Sequence, residues 1–291
     1  PPSRPTRPTR LPRRRPSLGR FRLLILGVVV VGFLGLVSIR GLAGFYTDYL
    51  WFDSLGHSSV FRAVFGAQVV LVLLFMALFF TILFGNLVVA QRLAPPIRPP
   101  GPEEDLLVHY HTFVGKRARL VRVVISALFA LIAGLGVSDK WQDWLLYTNR
   151  VDVGITDPQF GRDIGFYLFQ LPFLSFVIGW LFGTLIVTLV VTAISHYING
   201  GIRLQTVGER VRPEVKAHLS VLLGAIALVR AADYWLARFE LTTSTRGAVD
   251  GATYTDVKAQ LPAIQLLILI SLLAVVLLLV NIRMQGWVLP T

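Results

Sequence analysis

Residues 261–282 read Leu-Pro-Ala-Ile-Gln-Leu-Leu-Ile-Leu-Ile-Ser-Leu-Leu-Ala-Val-Val-Leu-Leu-Leu-Val-Asn-Ile, without one charged side chain. Coiled as an α-helix at ~1.5 Å per residue, such a run crosses the ~30 Å hydrocarbon layer of a bilayer with its backbone amides bonded internally. Predominantly apolar runs with few charges precede it at Phe21–Ile39, Ala63–Val89, Leu120–Val137, Leu171–Tyr197 and Leu219–Leu236. The chain therefore reads as an all-α, polytopic membrane helix bundle of about six transmembrane helices with short interfacial helices. Composition agrees: 54% of residues are hydrophobic and 15% charged, far from the roughly 25% charged of a soluble domain.

Lys and Arg resist translocation and mark the cytoplasmic side. They crowd the N-terminal segment (Arg4 to Arg22), the second loop (Arg92, Arg98, Lys116, Arg117, Arg119, Arg122) and the fourth (Arg203, Arg210, Arg212, Lys216). The alternate loops hold most of the acid, including Asp48, Asp53, Asp139, Asp143, Asp152, Asp157, Asp163, Glu240, Asp250 and Asp256. The expected arrangement is a multi-pass protein of a bacterial cell membrane with both termini cytoplasmic. The net charge of +12 is split among loops flanking the spans, which suits anionic lipid headgroups and argues against nucleic acid as a partner.

Residues 1–20, rich in Pro and Arg, bury too little to order themselves and read as a disordered basic tail before a bundle over 21–283. Phe21–Ile39 lacks a small-x-small cleavage site before Arg40, so it reads as an uncleaved span. With no cysteine in the chain, disulfides, thiol catalysis and thiolate metal sites are excluded.

Aromatic rings and carboxylates mix at near-helical spacing in Phe45–Phe52 and Trp141–Tyr147, the pattern of interfacial helices in an aromatic belt. In Gly154–Asp163, Asp157-Pro158 starts a turn, Gly154 and Gly161 permit unusual dihedrals, and Asp157 and Asp163 can accept from free backbone amides, with Asp163 capping the next helix. This is a structured outer loop; two carboxylates also suggest a divalent cation, but the spacing matches no calcium loop. Pro172 lies at the entrance to the fourth span and predicts a short interfacial or re-entrant helix, then a bend.

Arg230 and Asp233 stand three residues apart inside the fifth span and form a candidate intramembrane ion pair. Counting from Lys216, Arg230 lies roughly 21 Å up, in the outer half where its side chain can snorkel. Small residues recur at Ser126, Ala130 and Gly134 and at Gly224, Ala227 and Ala231, which marks helix-packing faces. His196, His218, His109 and His111 lack partners at ligand spacing and read as surface or interface histidines. No catalytic motif is found, so no enzyme activity and no cofactor are expected.

Several phrases together resemble one family. They are Tyr46-Thr-Asp-Tyr-Leu-Trp-Phe-Asp-Ser-Leu-Gly56, the stretch Gly154–Phe173, His196-Tyr-Ile-Asn-Gly-Gly-Ile-Arg-Leu204, Tyr234–Leu241 with Thr245-Arg-Gly247, and Tyr254-Thr-Asp256 before Leu261-Pro-Ala263. They resemble the bacterial, chiefly actinobacterial, uncharacterised protein family 0182. The resemblance implies an integral cell-membrane protein with about seven N-terminal spans followed by a large extracytoplasmic domain, and it implies no reaction. Residues 284–291 then resemble the approach to a further span, as in a fragment. Two functions stay open: a non-enzymatic module that anchors or assembles an envelope complex with protein partners, or a transport or lipid-handling module using the fourth span and Arg230/Asp233.

Overall fold

The computed structural model of the chain describes residue 25 and residues 39–95, 117–202, 211–245 and 250–284. The expected tail, nearly all of the first span, His109, His111 and residues 285–291 lie outside these ranges. Among the described residues, five helices are long and apolar enough to cross a membrane: Ser58–Arg92, Ala118–Leu135, Phe166–Ile198, Pro213–Thr243 and Asp256–Arg283. With no strand among the described residues, the fold is an all-α membrane bundle. We number the helices α1 (residues 39–54), α2 (Ser58–Arg92), α3 (Ala118–Leu135), α4 (Trp141–Thr148), α5 (Leu171–Ile198), α6 (Pro213–Glu240) and α7 (Leu261–Met284).

The chain divides into two compact units, residues 1–63 and 64–291. In the first, α1 ends in a turn where Gly56 takes φ +73° and the His57 amide bonds the Phe52 carbonyl at 2.9 Å. The positions 45, 49 and 52 share one helical face, and their rings gather on Phe61 with centroids 5.1, 5.6 and 5.8 Å away. The aromatic residues after the first expected span thus pack on one another across a helical hairpin.

In the second unit, α2 turns one stripe inward: Ala67, Leu71, Phe75, Phe79, Leu83, Leu87 and Ala90 are buried, while Val70, Leu73 and Leu74 face outward. A repeat near four residues keeps one face on the core, and the other faces are apolar because their solvent is lipid. Trp180 of α5 fills the space beside that stripe, edge-on to Phe75 at 4.7 Å, and donates its indole N–H to the Ala133 carbonyl of α3 at 3.3 Å. Ser126, Ala130 and Gly134 form the buried face of α3, with Gly134 against Met76. On α6, Gly224 and Ala231 are buried and Ala227 half-buried. Gly224 faces Leu278 of α7, and Asn281 of α7 donates to the Ser220 hydroxyl of α6 at 2.9 Å.

The separate short helix expected before Pro172 is not what forms. Residues 164–198 run as one helix, whose turn Phe166–Gln170 is a π-turn closed by the Leu171 amide on the Phe166 carbonyl. A proline in an α-helix strikes the carbonyl four residues back and has no amide to donate. The residue added by a π-turn moves that carbonyl aside, so the helix passes Pro172 unbroken. The same device recurs at Asp256–Gln260 before Leu261-Pro262.

Candidate functional site

Two polar constructions stand at opposite ends of the second unit. At the end where α5 begins, α4 lies against the bundle with Trp144 and Tyr147 on Phe173, centroids 5.3 and 5.1 Å apart. Beyond it the chain makes a knot tied by two carboxylates. Asp157 accepts from the amides of Gln159 (3.1 Å) and Phe160 (2.6 Å) and from the Tyr167 hydroxyl (3.0 Å). Asp163 accepts from the amides of Val153 (3.0 Å), Gly154 (2.8 Å) and Gly165 (2.6 Å), the last in the first turn of the following helix. Pro158 and Gly161, the latter at φ +64°, complete the turn between them. These backbone donors occupy the carboxylate oxygens that a cation would need, and no metal-holding group of three or more His, Cys, Asp or Glu occurs among the described residues.

An aromatic cluster clamps the knot to the helices. Phe166, Leu171, Leu236 and Phe239 are buried together with Phe160 and Tyr167 packed on them, and the Arg162 guanidinium lies 5.5 Å over Phe166 and 5.8 Å over Phe239.

The Val153 amide, joined by those of Gly165 and Gly154 and opposed by partial desolvation, holds the Asp163 carboxyl below its ordinary value. A lowered folded value means that the knot's dependence on Asp163 is fully satisfied above the unfolded carboxylate range near ~3.9 and is lost as pH falls through the folded value. Hydrogen exchange at the Val153, Gly154 and Gly165 amides is expected to stay slow at neutral pH and to accelerate only in strong acid. In Asp163→Asn, where an NH2 group replaces one acceptor oxygen, exchange should be fast already at neutral pH. Equal protection in the two proteins would remove Asp163 from this role.

Arg230 and Asp233 meet, Nη1 to Oδ2 at 2.5 Å, with side chains 43% and 30% exposed. The guanidinium also lies 4.8 Å over the Tyr234 ring and 5.2 Å over Phe182 of α5. The pair therefore sits on the outward flank of α5 and α6, and does not line the bundle interior. Removing Asp233 alone leaves an uncompensated cation at an apolar surface, whereas replacing both with leucine removes the charge problem altogether. Asp233→Asn should consequently lower the melting temperature in detergent more than the Arg230→Leu/Asp233→Leu double variant does. The reverse order would show that the charges themselves stabilise the fold.

The second construction, at the other end of the bundle, was not legible as a site. Thr184, Thr188, Thr192 and His196 succeed one another every four residues on α5, and all are buried. His196 Nε2 lies 2.9 Å from His218 Nδ1 of α6, and His218 Nε2 lies 3.0 Å from Asn86 Oδ1 of α2. The two histidines expected to be separate surface or interface groups are thus joined inside the protein, 22 residues apart in sequence. The Thr188 and Thr192 hydroxyls, the Ser126 hydroxyl and His196 Nδ1 are buried without a hydrogen-bond partner. Polar groups withdrawn from water without a partner are costly, which makes this line a candidate for function. The available signal was the four-residue Thr-Thr-Thr-His period, hidden because threonine is tolerated in an apolar span.

Comparison with known proteins places this architecture. A family model described as Uncharacterised protein family (UPF0182) matches residues 23–291. A UPF0182 protein of Frankia casuarinae is 42% identical over 277 residues, which is 95% of this chain and 27% of that protein. One of Nocardioides sp. is 39% identical over 282 residues, 96% of this chain and 28% of that protein, and one of Streptomyces coelicolor is 34% identical over 281 residues, 95% and 28%. The chain thus spans little more than a quarter of the length of the curated relatives it matches. No solved structure matches it. Because the match covers residues 23–291, more than nine-tenths of its length, the chain belongs to the uncharacterised protein family UPF0182.

Proposed function

We propose that the chain is a non-enzymatic anchoring module of a bacterial envelope complex, multi-pass in the cell membrane with both termini cytoplasmic. The observation that carries this reading is the carboxylate knot. It fixes residues 151–155, which bend at Gly154 (φ +80°), outside the spans, and Val151, Val153 and Ile155 are exposed there at 62%, 44% and 58%. Three apolar side chains are thus exposed within five residues on a base tied by Asp163, at the end that the charge distribution favours as the outer face. A fixed apolar patch outside the lipid suits a protein partner in the envelope.

Gentle detergent purification of the native full-length protein, followed by mass spectrometry, is expected to recover a stoichiometric envelope protein. That protein should be lost when Val153 is replaced by aspartate while the bundle still folds. A lone protein that moves solute across liposomes would overturn the reading. The orientation is testable by single-cysteine labelling in this cysteine-free chain: residues 40–60, 138–163 and 239–260 should label from outside and position 110 should not.

The buried polar line favours a second reading, a transport or lipid-handling module. The Arg230–Asp233 pair lends it little support, since that pair lies on the flank of the bundle. Solute flux that falls when Thr188 and Thr192 are replaced by valine would favour transport over anchoring.

A further inference from the structure

The contacts of His196 and His218 determine where every hydrogen between them lies. Asn86 Nδ2 donates to the Ile82 carbonyl at 2.7 Å. A carbonyl can only accept, so the Asn86 oxygen is the atom that faces His218, and His218 Nε2 must carry the hydrogen in their 3.0 Å bond. A neutral imidazole carries one N–H. His218 Nδ1 is therefore bare and accepts from His196 Nε2, 2.9 Å away. His196 has then used its own hydrogen, which leaves His196 Nδ1 as a lone pair. That nitrogen is buried and without a hydrogen-bond partner, and it lies 3.6 Å from the point where Gly201, in the turn after α5, would carry a Cβ.

We propose that His196 and His218 form a one-proton site inside the membrane bundle, filled at His196 Nδ1 from the side of the Gly201 turn. On arrival, an N–H bond forms at His196 Nδ1 and that ring becomes a cation. The His196 Nε2–H bond can then break as a His218 Nδ1–H bond forms, which passes the charge to the second ring and leaves the hydrogen count unchanged. A second proton is refused, because it would place two N–H hydrogens head to head in the 2.9 Å gap. At this end of the bundle the titratable and charged groups on the described elements around the pair are Tyr197 on α5, Arg212 before α6, Glu214 and Lys216 on it, Arg92 on α2, Arg119 and Arg122 on α3 and Arg283 on α7. Arg212 is engaged by Glu214 at 3.3 Å and Arg122 by Gln91. Since Asn86, His196 and His218 belong to three different helices, occupancy by the proton is linked to how α2, α5 and α6 pack. This holds whether the bundle anchors a complex or moves a solute.

The test is nitrogen NMR of the full chain in lipid nanodiscs with ring-labelled histidine. At alkaline pH two rings should show a nitrogen–nitrogen coupling across one hydrogen bond, from the Nε2 of one ring to the Nδ1 of the other. On acidification this coupled pair should take up a single proton, with both rings shifting at a common midpoint. Absence of the coupling, uptake of two protons at separate midpoints, or a protonated His218 Nδ1 at alkaline pH would overturn the proposal. Asn86→Leu removes the acceptor that fixes His218 and should yield a mixture of ring tautomers; an unchanged tautomer would overturn the assigned direction. Should that variant not fold, the wild-type spectrum decides alone.

Discussion

Replacing Phe239 with alanine is expected to cost about 3–5 kcal/mol, the range for deleting a buried aromatic side chain. The ring is 1% exposed and stands at the centre of the aromatic clamp. Phe160, Phe166 and Trp235 lie with centroids 5.1, 5.1 and 5.2 Å from it, and Arg238 and Arg162 cover its face at 4.5 and 5.8 Å. A cavity there would leave two guanidinium groups over empty space and would uncouple the carboxylate knot from α6. Thermal or denaturant unfolding in detergent measures the loss. Limited proteolysis should cut near residues 151–163 well before the bundle opens, and a variant that keeps wild-type proteolysis there would refute the clamp.

The second large effect is expected at Gly134. A Cβ on this residue would lie 2.1 Å from Met76 Cγ and 3.2 Å from the Met76 backbone nitrogen. The thioether can swing away, but the backbone of α2 cannot, so Gly134→Ala should cost about 1–3 kcal/mol as overpacking. Gly134→Leu should exceed that and separate α3 from α2. Gly224→Ala provides the contrast, because its added carbon would meet Leu278 at an ordinary 3.8 Å and change stability little. A disulfide engineered across α2 and α3 would report the separation directly, failing to form in Gly134→Leu and forming in Gly224→Ala.

Hydropathy made the spans legible because the bilayer imposes one demand along the whole length of a helix. It placed the fifth expected span at Leu219–Leu236, whereas α6 runs Pro213–Glu240. The difference lies in Glu214, Lys216, Arg238 and Glu240, charged residues that end a hydropathy window without ending a helix. Asp157 and Asp163 were legible in the outer loop because short-range amide capping is written in local sequence. The His196–His218 contact was not, since it depends on how α5 and α6 are rotated about their own axes. Pro172 was read as closing a separate short helix because proline alone does not reveal a preceding π-turn. The repeated Gln-Leu-Pro at 170–172 and 260–262, each beginning on the last residue of such a turn, was the sign available.

Those two π-turns also act as phase setters. An α-helix advances ~100° per residue and a π-turn fits one extra residue into the same rotation, so winding Phe166–Gln170 as ordinary α-helix with no residue removed would swing everything beyond it about a quarter of a circle relative to the knot. Thr188, Thr192 and His196 would then point toward lipid, and residues now facing the acyl chains would turn inward. The bearing of His196 toward its partner is thus dialled some twenty-five residues upstream, ~40 Å away along the helix axis at ~1.5 Å per residue, by a turn that touches neither imidazole.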